Sequence, residues 1–338
     1  MPVSTPLGLV AGAGLDAAFG DPRRWHPVAG FGRLAGALEQ AVWRPSRVAG
    51  AAYTVICVGS VVAVGRAFGG GRGSARHVGV TAVATWAVLG ARSLGGEALA
   101  IDAALAQGDL EAARALLPRL CGRNPAGLDE VEIVRATVES VAENTSDAVV
   151  APLLWGAVGG PAGLTGYRAV NTLDAMVGHR SERYERFGWA AARLDDVANF
   201  VPARVTGLLA ALFAPLVGGS ARTSLAVLRA DGARHPSPNS GRCEAAFAGA
   251  LGVRLGGVNV YADRVESRPR LGNGRCPQRR DIARAVRLQR GVTAATVVLS
   301  AAIAAALQRG TSSPRPMCAG RRRKRRYKTV LSSGKLWS

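Results

Sequence analysis

Four short stretches of the chain gather carboxylates, amides and arginines at spacings suited to holding a cation and a phosphorylated substrate. In VESVAENTSDAVVAP, Glu139, Glu143 and Asp147 fall at i, i+4 if the helix runs unbroken. Like charges at that spacing repel, so a positive partner is expected, and a divalent cation held by carboxylates is one candidate. Asn144, Thr145, Ser146 or Asp147 equally suits the cap of a helix opening near Ala148. In YRAVNTLDAM, Asn171 and Asp174 share one helical face at the polar end of an apolar segment, where ionisable groups mark function by default. ARLDDVANFVPAR places Asp195, Asp196 and Asn199 within about one turn, flanked by Arg193 and Arg204. Adjacent carboxylates with an amide suit Mg²⁺, and the arginines suit phosphate or carboxylate. RHPSPNSG carries His235, Ser237, Asn239 and Ser240 in a Pro-punctuated loop before a helix expected near Glu244; a helix N-terminus presents free N–H groups to anions, and a rigid capped turn is the plainer alternative. Near the start, Asp16, Asp21, Arg23 and His26 form a weaker cluster, with His26 expected to be structural.

The elements that must position these groups are apolar. Charge-free runs cover Val48 to Gly65, Ala148 to Tyr167, Val205 to Ala221 and Gly291 to Gln308. A membrane span needs about 20 apolar residues, with about 17 sufficing. Shorter runs, Val3 to Leu15 and Val78 to Ala91, complete the bundle or lie inside it. The expectation is an all-α polytopic membrane helical bundle of roughly four to six spans, one integral membrane domain over 1–308, with apolar runs near 3–15, 48–65, 78–91, 148–167, 205–221 and 291–308. GGPAG at 159–163 and GGS at 218–220 interrupt two runs, so each is expected to fold as a helical hairpin with both ends on one side. That brings Asn171 and Asp174 alongside Asn144 and Asp147. Arg92 to Glu143 reads as two water-facing amphipathic helices joined around CGRNPAGLD with an Asp129 cap, and Arg222 to Arg290 as loop-rich and water-facing. Arginines flank the Val48 run on both sides, leaving orientation open.

Composition narrows the chemistry. The chain has 338 residues, 48% hydrophobic and only 20% charged, with a net charge of +20. Half of that excess lies between Arg309 and Ser338, a basic stretch of ten Lys/Arg that reads as a disordered tail, 309–338. All three lysines, Lys324, Lys328 and Lys335, are in it. A body without lysine excludes a Walker A phosphate lysine and a pyridoxal Schiff base there. Five cysteines without paired spacing indicate neither a zinc site nor a disulfide framework. A signal peptide is not expected, since the first residues carry no basic region.

Taken in order, LDAAFGDPRRWHPV at 15–28, ARSLGGEALAIDAAL at 91–105, VESVAENTSDAVVAPLLWGAVGGPAG at 138–163, NTLDAMVGHRSERYERFGWAAARLDDVANFVPAR at 171–204, HPSPNSG at 235–241, and EAAFAGALGVRLGG and NVY within 244–261 resemble the CobD/CbiB family of cobalamin (vitamin B12) biosynthesis, over about residues 5–308. The resemblance implies a multi-pass inner-membrane adenosylcobinamide-phosphate synthase. Such an enzyme joins adenosylcobyric acid to (R)-1-amino-2-propanol or its O-phosphate in an ATP-dependent amide ligation. ATP and Mg²⁺ are then required, the corrinoid is substrate, membrane lipid and other cobalamin-pathway enzymes are the expected partners, and no nucleic acid is. On that basis Asp195 and Asp196 are expected to hold metal, with Asp147 and Asp174 beside them in the catalytic group. Arg193, Arg204 and His235 are expected to meet phosphate, Glu143 to take the proton from the attacking amine, and Asn144, Asn171, Asn199, Ser237 and Asn239 to orient substrate. Where the family continues HPSPNSG with a Trp-Pro pair this chain has Arg242 and Cys243, and its NGRCPQRRD stretch and tail are unusually basic. A corrinoid transporter is the alternative from another class, because broken membrane helices also build transport sites.

Overall fold

The computed structural model describes residues 4–21, 26–70, 74–179, 181–260 and 265–311. The expectations for Arg23 and for the tail beyond Thr311 lie outside these residues. Among the described residues the architecture is an all-α bundle with one small antiparallel hairpin, and five helical segments are long and apolar enough to cross a membrane.

The first four helices form a layer. Helix α1 (Ser4–Phe19) packs along α4 (Ala75–Val88), with α2 (Pro27–Val42) and α3 (Arg47–Gly69) beside them. Between α1 and α4 the backbones approach until a Cβ at Gly8 or Gly12 would collide with Thr81 or Thr85. Small residues one turn apart permit such contact where lipid removes the ordinary hydrophobic drive between helices. The short runs at Val3 and Val78 thus pair with each other.

Helix α4 leads into α5 (Ala91–Ala106) and the short α6 (Leu110–Leu116), and then α7 (Glu130–Thr145) begins. Asp129 caps α7 through the Glu132 N–H, and the Glu132 carboxylate accepts the Asp129 N–H in return, a reciprocal capping box. The cap was expected; the water-facing position was not borne out. Ile133, Val134, Ala136, Thr137, Val138 and Val141 are wholly buried, making α7 the spine of the largest apolar cluster, with α5, α12 (Ser240–Leu251) and α13 (Arg280–Thr311) packed against it and α10 (Phe200–Phe213) reaching the same cluster. The polar residues of α7 misled because their partners come from distant segments.

A π-helical turn at Ser146–Val150 joins α7 to α8 (Ala151–Leu173) without a break, so none of residues 144–147 opens a new helix. Within α8, Gly160 has φ 59° and ψ −144°, a conformation reserved for glycine, and Pro161 restarts the helix. The chain doubles back there. A Cβ on Gly163 would meet the Trp155 carbonyl, and the Tyr167 hydroxyl donates to the Asp147 carbonyl at 3.1 Å. Gly-Gly-Pro thus makes the expected hairpin, whose returning arm ends in a second π-helical turn at Asp174–Gly178.

Helix α9 (Trp189–Ala198) runs into α10, and a turn through left-handed Gly218 reverses the chain into α11 (Ala221–Asp231). This second expected hairpin brings Leu228 against Gly207. The stretch expected to be loop-rich instead holds α11, α12, buried from Cys243 to Leu251, and the hairpin β1 (Leu255–Val260) and β2 (Val265–Leu271). Helix α13 starts at Arg280, well before the apolar run at Gly291.

Gly160→Ala is expected to cost roughly 1–3 kcal/mol through backbone strain. Gly159, whose Cβ would point into open space, is the control. Thermal unfolding in detergent should show Gly160→Ala clearly less stable than Gly159→Ala; equal effects would mean the hairpin does not depend on that conformation.

Candidate functional site

The two hairpins deliver their polar ends to one place. Glu143 and Asn144 come from the end of α7, Asp147 from the first π-turn, Asn171 from the returning arm and Asp174 from the second π-turn; all five line a chamber of about 300 Å³, with Arg123 and Arg268 on its wall. The convergence expected from the sequence is present. A second polar chamber of about 810 Å³ adjoins it, and Leu120 and Asn144 line both.

Behind the small chamber lies a hydrogen-bonded scaffold. Asp195 accepts from the Asn171 amide at Oδ1 (3.4 Å) and from the Asn199 amide at Oδ2 (3.0 Å). The Tyr167 hydroxyl reaches the Asn199 side-chain Oδ1 at 2.8 Å, and Trp155 donates to the Ala198 backbone carbonyl at 3.0 Å, tying α9 to the α8 hairpin. Burial pushes the Asp195 carboxyl up to about 6, against the opposing effect of its two amide donors. Glu143 is fixed by the Ser240 hydroxyl, which donates to it at 2.7 Å from the start of α12. Asn144 donates to the Ser140 carbonyl and lines the wall that the two chambers share.

Glu143, Asp147, Asp174 and Asp195 lie within electrostatic reach of one another, and Asp196 lies within reach of Asp174 and Asp195. Among the described residues, the Asp147 and Asp174 carboxylates have no hydrogen-bond or ion-pair partner. Glu139, by contrast, belongs to a buried network: Arg123 and Arg135 both pair with it, and the Gly256 N–H donates to it at 2.7 Å. That N–H is presented by an irregularity in β1 between Leu255 and Gly257, where Gly256 takes a φ of 80°. Arg135 also donates to the Gly256 and Val258 carbonyls and to Asn259, locking the β-hairpin onto α7. Glu139 is therefore structural, and its compensation is arginine.

The donor chemistry at Asp147 and Asp174 fits Mg²⁺, which takes hard oxygen ligands and keeps several waters or substrate phosphates. Among the described residues no three His, Cys, Asp or Glu converge into a ready-made ligand set, so one or two of these carboxylates would hold the ion and leave its other positions to water and substrate. The Asp195–Asp196 pair fits less well. Neighbouring helical residues diverge by about 100°; Asp195 has both oxygens occupied by amides, while the half-buried Asp196, whose charge is felt at Asp174, pairs with Arg193 at 3.5 Å. The expectation of a chelating pair is corrected accordingly.

The remaining expected residues divide. Arg193 is largely exposed beside Asp196, while Arg204 sits over the Phe200 ring and donates to the Phe200 carbonyl, with Asn239 at 3.5 Å. Asn239 donates to the Asp196 carbonyl at 2.8 Å, and the Ser237 hydroxyl accepts the Asn239 and Ser240 N–H groups, so both residues dock the loop and open α12. His235 does not serve as a phosphate cation. Its side chain is 4% exposed, its Nδ1 accepts the Ser237 N–H, and burial together with the Arg268 charge holds it below its ordinary range and neutral. At the N-terminus Asp16 accepts the Arg92 N–H, Asp21 lines the large chamber, and His26 caps α2 as a structural residue.

Comparison with known proteins fits this arrangement. A family profile described as CobD/Cbib protein matches residues 9–289. The chain belongs to the CobD/Cbib family. "Cobalamin biosynthesis protein CobD" of Mycobacterium tuberculosis (strain ATCC 25618 / H37Rv) is 54% identical over 294 residues, 87% of this chain and 94% of that protein. Proteins of the same name from Geobacter metallireducens and Rhodobacter capsulatus are 47% identical over 298 residues and 41% over 312, covering 85% and 88% of this chain and 93% and 96% of theirs. No solved structure matches.

In this CobD/Cbib chain, sequence reasoning passed over Arg123, Arg135, Arg168, Arg268 and Glu244. Each is a charge inside or against an apolar bundle, and that placement was the signal available. Glu244 is the extreme case. It is 1% exposed, neither carboxyl oxygen has a hydrogen-bond partner among the described residues, and His235 Nε2 and the Arg268 guanidinium stand 3.8 and 3.9 Å from its Oε1. Burial, reinforced by Glu139 and Glu143 and only partly offset by the Arg268 and Arg123 charges, pushes its carboxyl well above the usual range.

In the unfolded chain Glu244 ionises near about 4.3, whereas the folded chain keeps it protonated to higher pH. The folded state then binds the extra proton, so stability falls as pH rises above that value. Glu244→Gln should therefore raise the unfolding temperature more at about pH 8 than at about pH 5; a pH-independent difference would mean the carboxyl is ionised in the folded protein.

Proposed function

We propose that this chain acts in cobalamin biosynthesis as an ATP-dependent acid–amine ligase, joining adenosylcobyric acid to (R)-1-amino-2-propanol or its O-phosphate in a cell membrane. Family membership and the cobalamin-biosynthesis names of its relatives support the pathway. The observation that carries the chemistry is the chamber at the hairpin ends, where unpaired Asp147 and Asp174 face Glu143 within reach of arginines.

Amide formation from a carboxylate requires that an oxygen be made a leaving group. The substrate carboxylate attacks the γ-phosphorus of ATP, ADP departs, and an acyl phosphate results. The amine nitrogen then attacks the carbonyl carbon, phosphate leaves and one proton is released. Glu143, positioned by Ser240, takes that proton. Arg123 and Arg268 on the chamber wall lie where phosphoryl charge needs stabilising. Mg²⁺ held at Asp147 and Asp174 would neutralise nucleotide phosphates. Asn171 and Asn199 hold Asp195 as a fixed negative strut behind the site rather than as a ligand.

The test is an assay of detergent-purified protein with adenosylcobyric acid, Mg²⁺-ATP and aminopropanol phosphate, following corrinoid mass. A mass gain matching amide formation, lost without ATP or amine, supports the ligase. Corrinoid binding without product under every nucleotide condition would favour a transporter. Asp147→Asn and Asp174→Asn should each lower kcat by at least about 100-fold, the scale of losing one electrostatic stabiliser.

The same assay has a pH signature. Asp195 is ionised above about 6, and protonation removes an acceptor from Asn171 and Asn199. Activity should fall as pH drops through that value, and Asp195→Asn should flatten the acidic limb in whatever activity remains.

A further inference from the structure

The large polar chamber contains a cation with no role so far. Arg168 lies on the returning arm of the α8 hairpin, in a segment apolar enough to cross a membrane. Charges in such segments pair with one another or with backbone carbonyls. Arg168 does neither. Among the described residues its guanidinium makes no hydrogen bond or ion pair, and its Nε is buried without a partner. It lines the chamber of about 810 Å³ close to Asn144, which is shared with the small chamber, and its charge is felt at Asp147.

Of the other charged groups of that chamber the arginines are engaged, while Asp21 keeps a buried Oδ1 with no hydrogen-bond partner among the described residues. Arg119 pairs with Glu97 at 3.3 Å, and Arg92 donates to the Ala17 carbonyl beside Asp21. Asp21 and Glu97 against Arg92, Arg119 and Arg168 leave one positive charge in excess among the lining residues. One guanidinium with a planar fork matches one carboxylate; a polyphosphate would demand more cations. The chamber is also the larger of the two, with room for the bulkier substrate.

We infer that Arg168 binds the free carboxylate of the acid substrate in the large chamber and holds it at the Asn144 boundary, facing the carboxylate-lined chamber where the amine and phosphates meet. This rests on the ligase reading above and deepens it, assigning the acid to one chamber and its reacting group to one residue. Arg168 is half-buried with its Nε shut from solvent, so it carries part of a desolvation cost until substrate arrives.

Adenosylcobyric acid and the corresponding primary amide, which lacks the negative charge, are the probes, used with the full chain in detergent. The wild type should bind the acid more tightly than the amide by roughly 10- to 100-fold, the range for a charge-assisted hydrogen bond. Arg168→Gln should bind the two alike, raise KM for the acid by a similar factor, leave KM for aminopropanol phosphate within about 2-fold, and unfold at the same or a higher temperature. Arg168→Lys should recover part of the preference. A Gln variant that keeps the acid-over-amide preference overturns the inference while leaving the ligase intact. A KM change for aminopropanol phosphate instead of the acid also overturns it, moving Arg168 to a phosphoryl group. A wild type that binds no corrinoid and forms no product overturns the ligase reading and this inference together.

Discussion

Carboxylates gathered at the end of an apolar bundle repel one another, and the rest of this structure is arranged around that repulsion. Two like charges about 4 Å apart at an effective permittivity of about 20 oppose each other by about 4 kcal/mol, a large share of what holds a domain folded. The chain answers differently at each position. Glu139 is neutralised by Arg123 and Arg135, Asp195 is held by two amides, and Glu143 accepts a hydroxyl donor. Asp147 and Asp174 receive no such compensation from the described residues. Their charge is left for something that enters the chamber, which is how a site rather than a core is recognised.

The support for this arrangement is covalent as well as electrostatic. A single glycine reverses α8, so residues 144–147 and 171–174 occupy one end of the bundle while the turn at Gly160 sits at the other. The second hairpin supplies α10 and α11 from the opposite side and carries Asn239 onto the Asp196 carbonyl. Helix α12, buried from Cys243 to Leu251, braces both by placing Ser240 against Glu143 and Ser224 of α11 against its Ala246 carbonyl.

Much of this was legible in the sequence. Charge-free runs gave the spanning elements, Gly-Gly-Pro gave the reversal, and amide–carboxylate pairs at hairpin ends gave the site, because each is a local signal with a single physical cause. What escaped has nonlocal causes. The burial of α7 depends on Arg123 and the bulged β1 strand satisfying Glu139, a pairing across more than a hundred residues in the case of Gly256. His235 reads as a phosphate cation only if its burial beside Glu244 is unknown. The adjacent Asp195 and Asp196 look like a chelating pair in one dimension, yet helical geometry turns them to different partners. Arg168 was overlooked because an arginine in TGYRAVN carries no motif, only a position.

The two π-helical turns fall at Asp147 and Asp174, one in each arm of the reversed hairpin. Such a turn is equivalent to one residue spliced into an α-helix, and such bulges recur where helices carry function. Downstream of a splice, every side chain is rotated by about 100° from the face it would otherwise occupy. The orientation of the acidic groups is therefore recorded in chain length as much as in residue identity. A relative shortened by a single position in either segment would keep every acidic side chain, align almost perfectly, and still aim one arm of the site at the wrong neighbour.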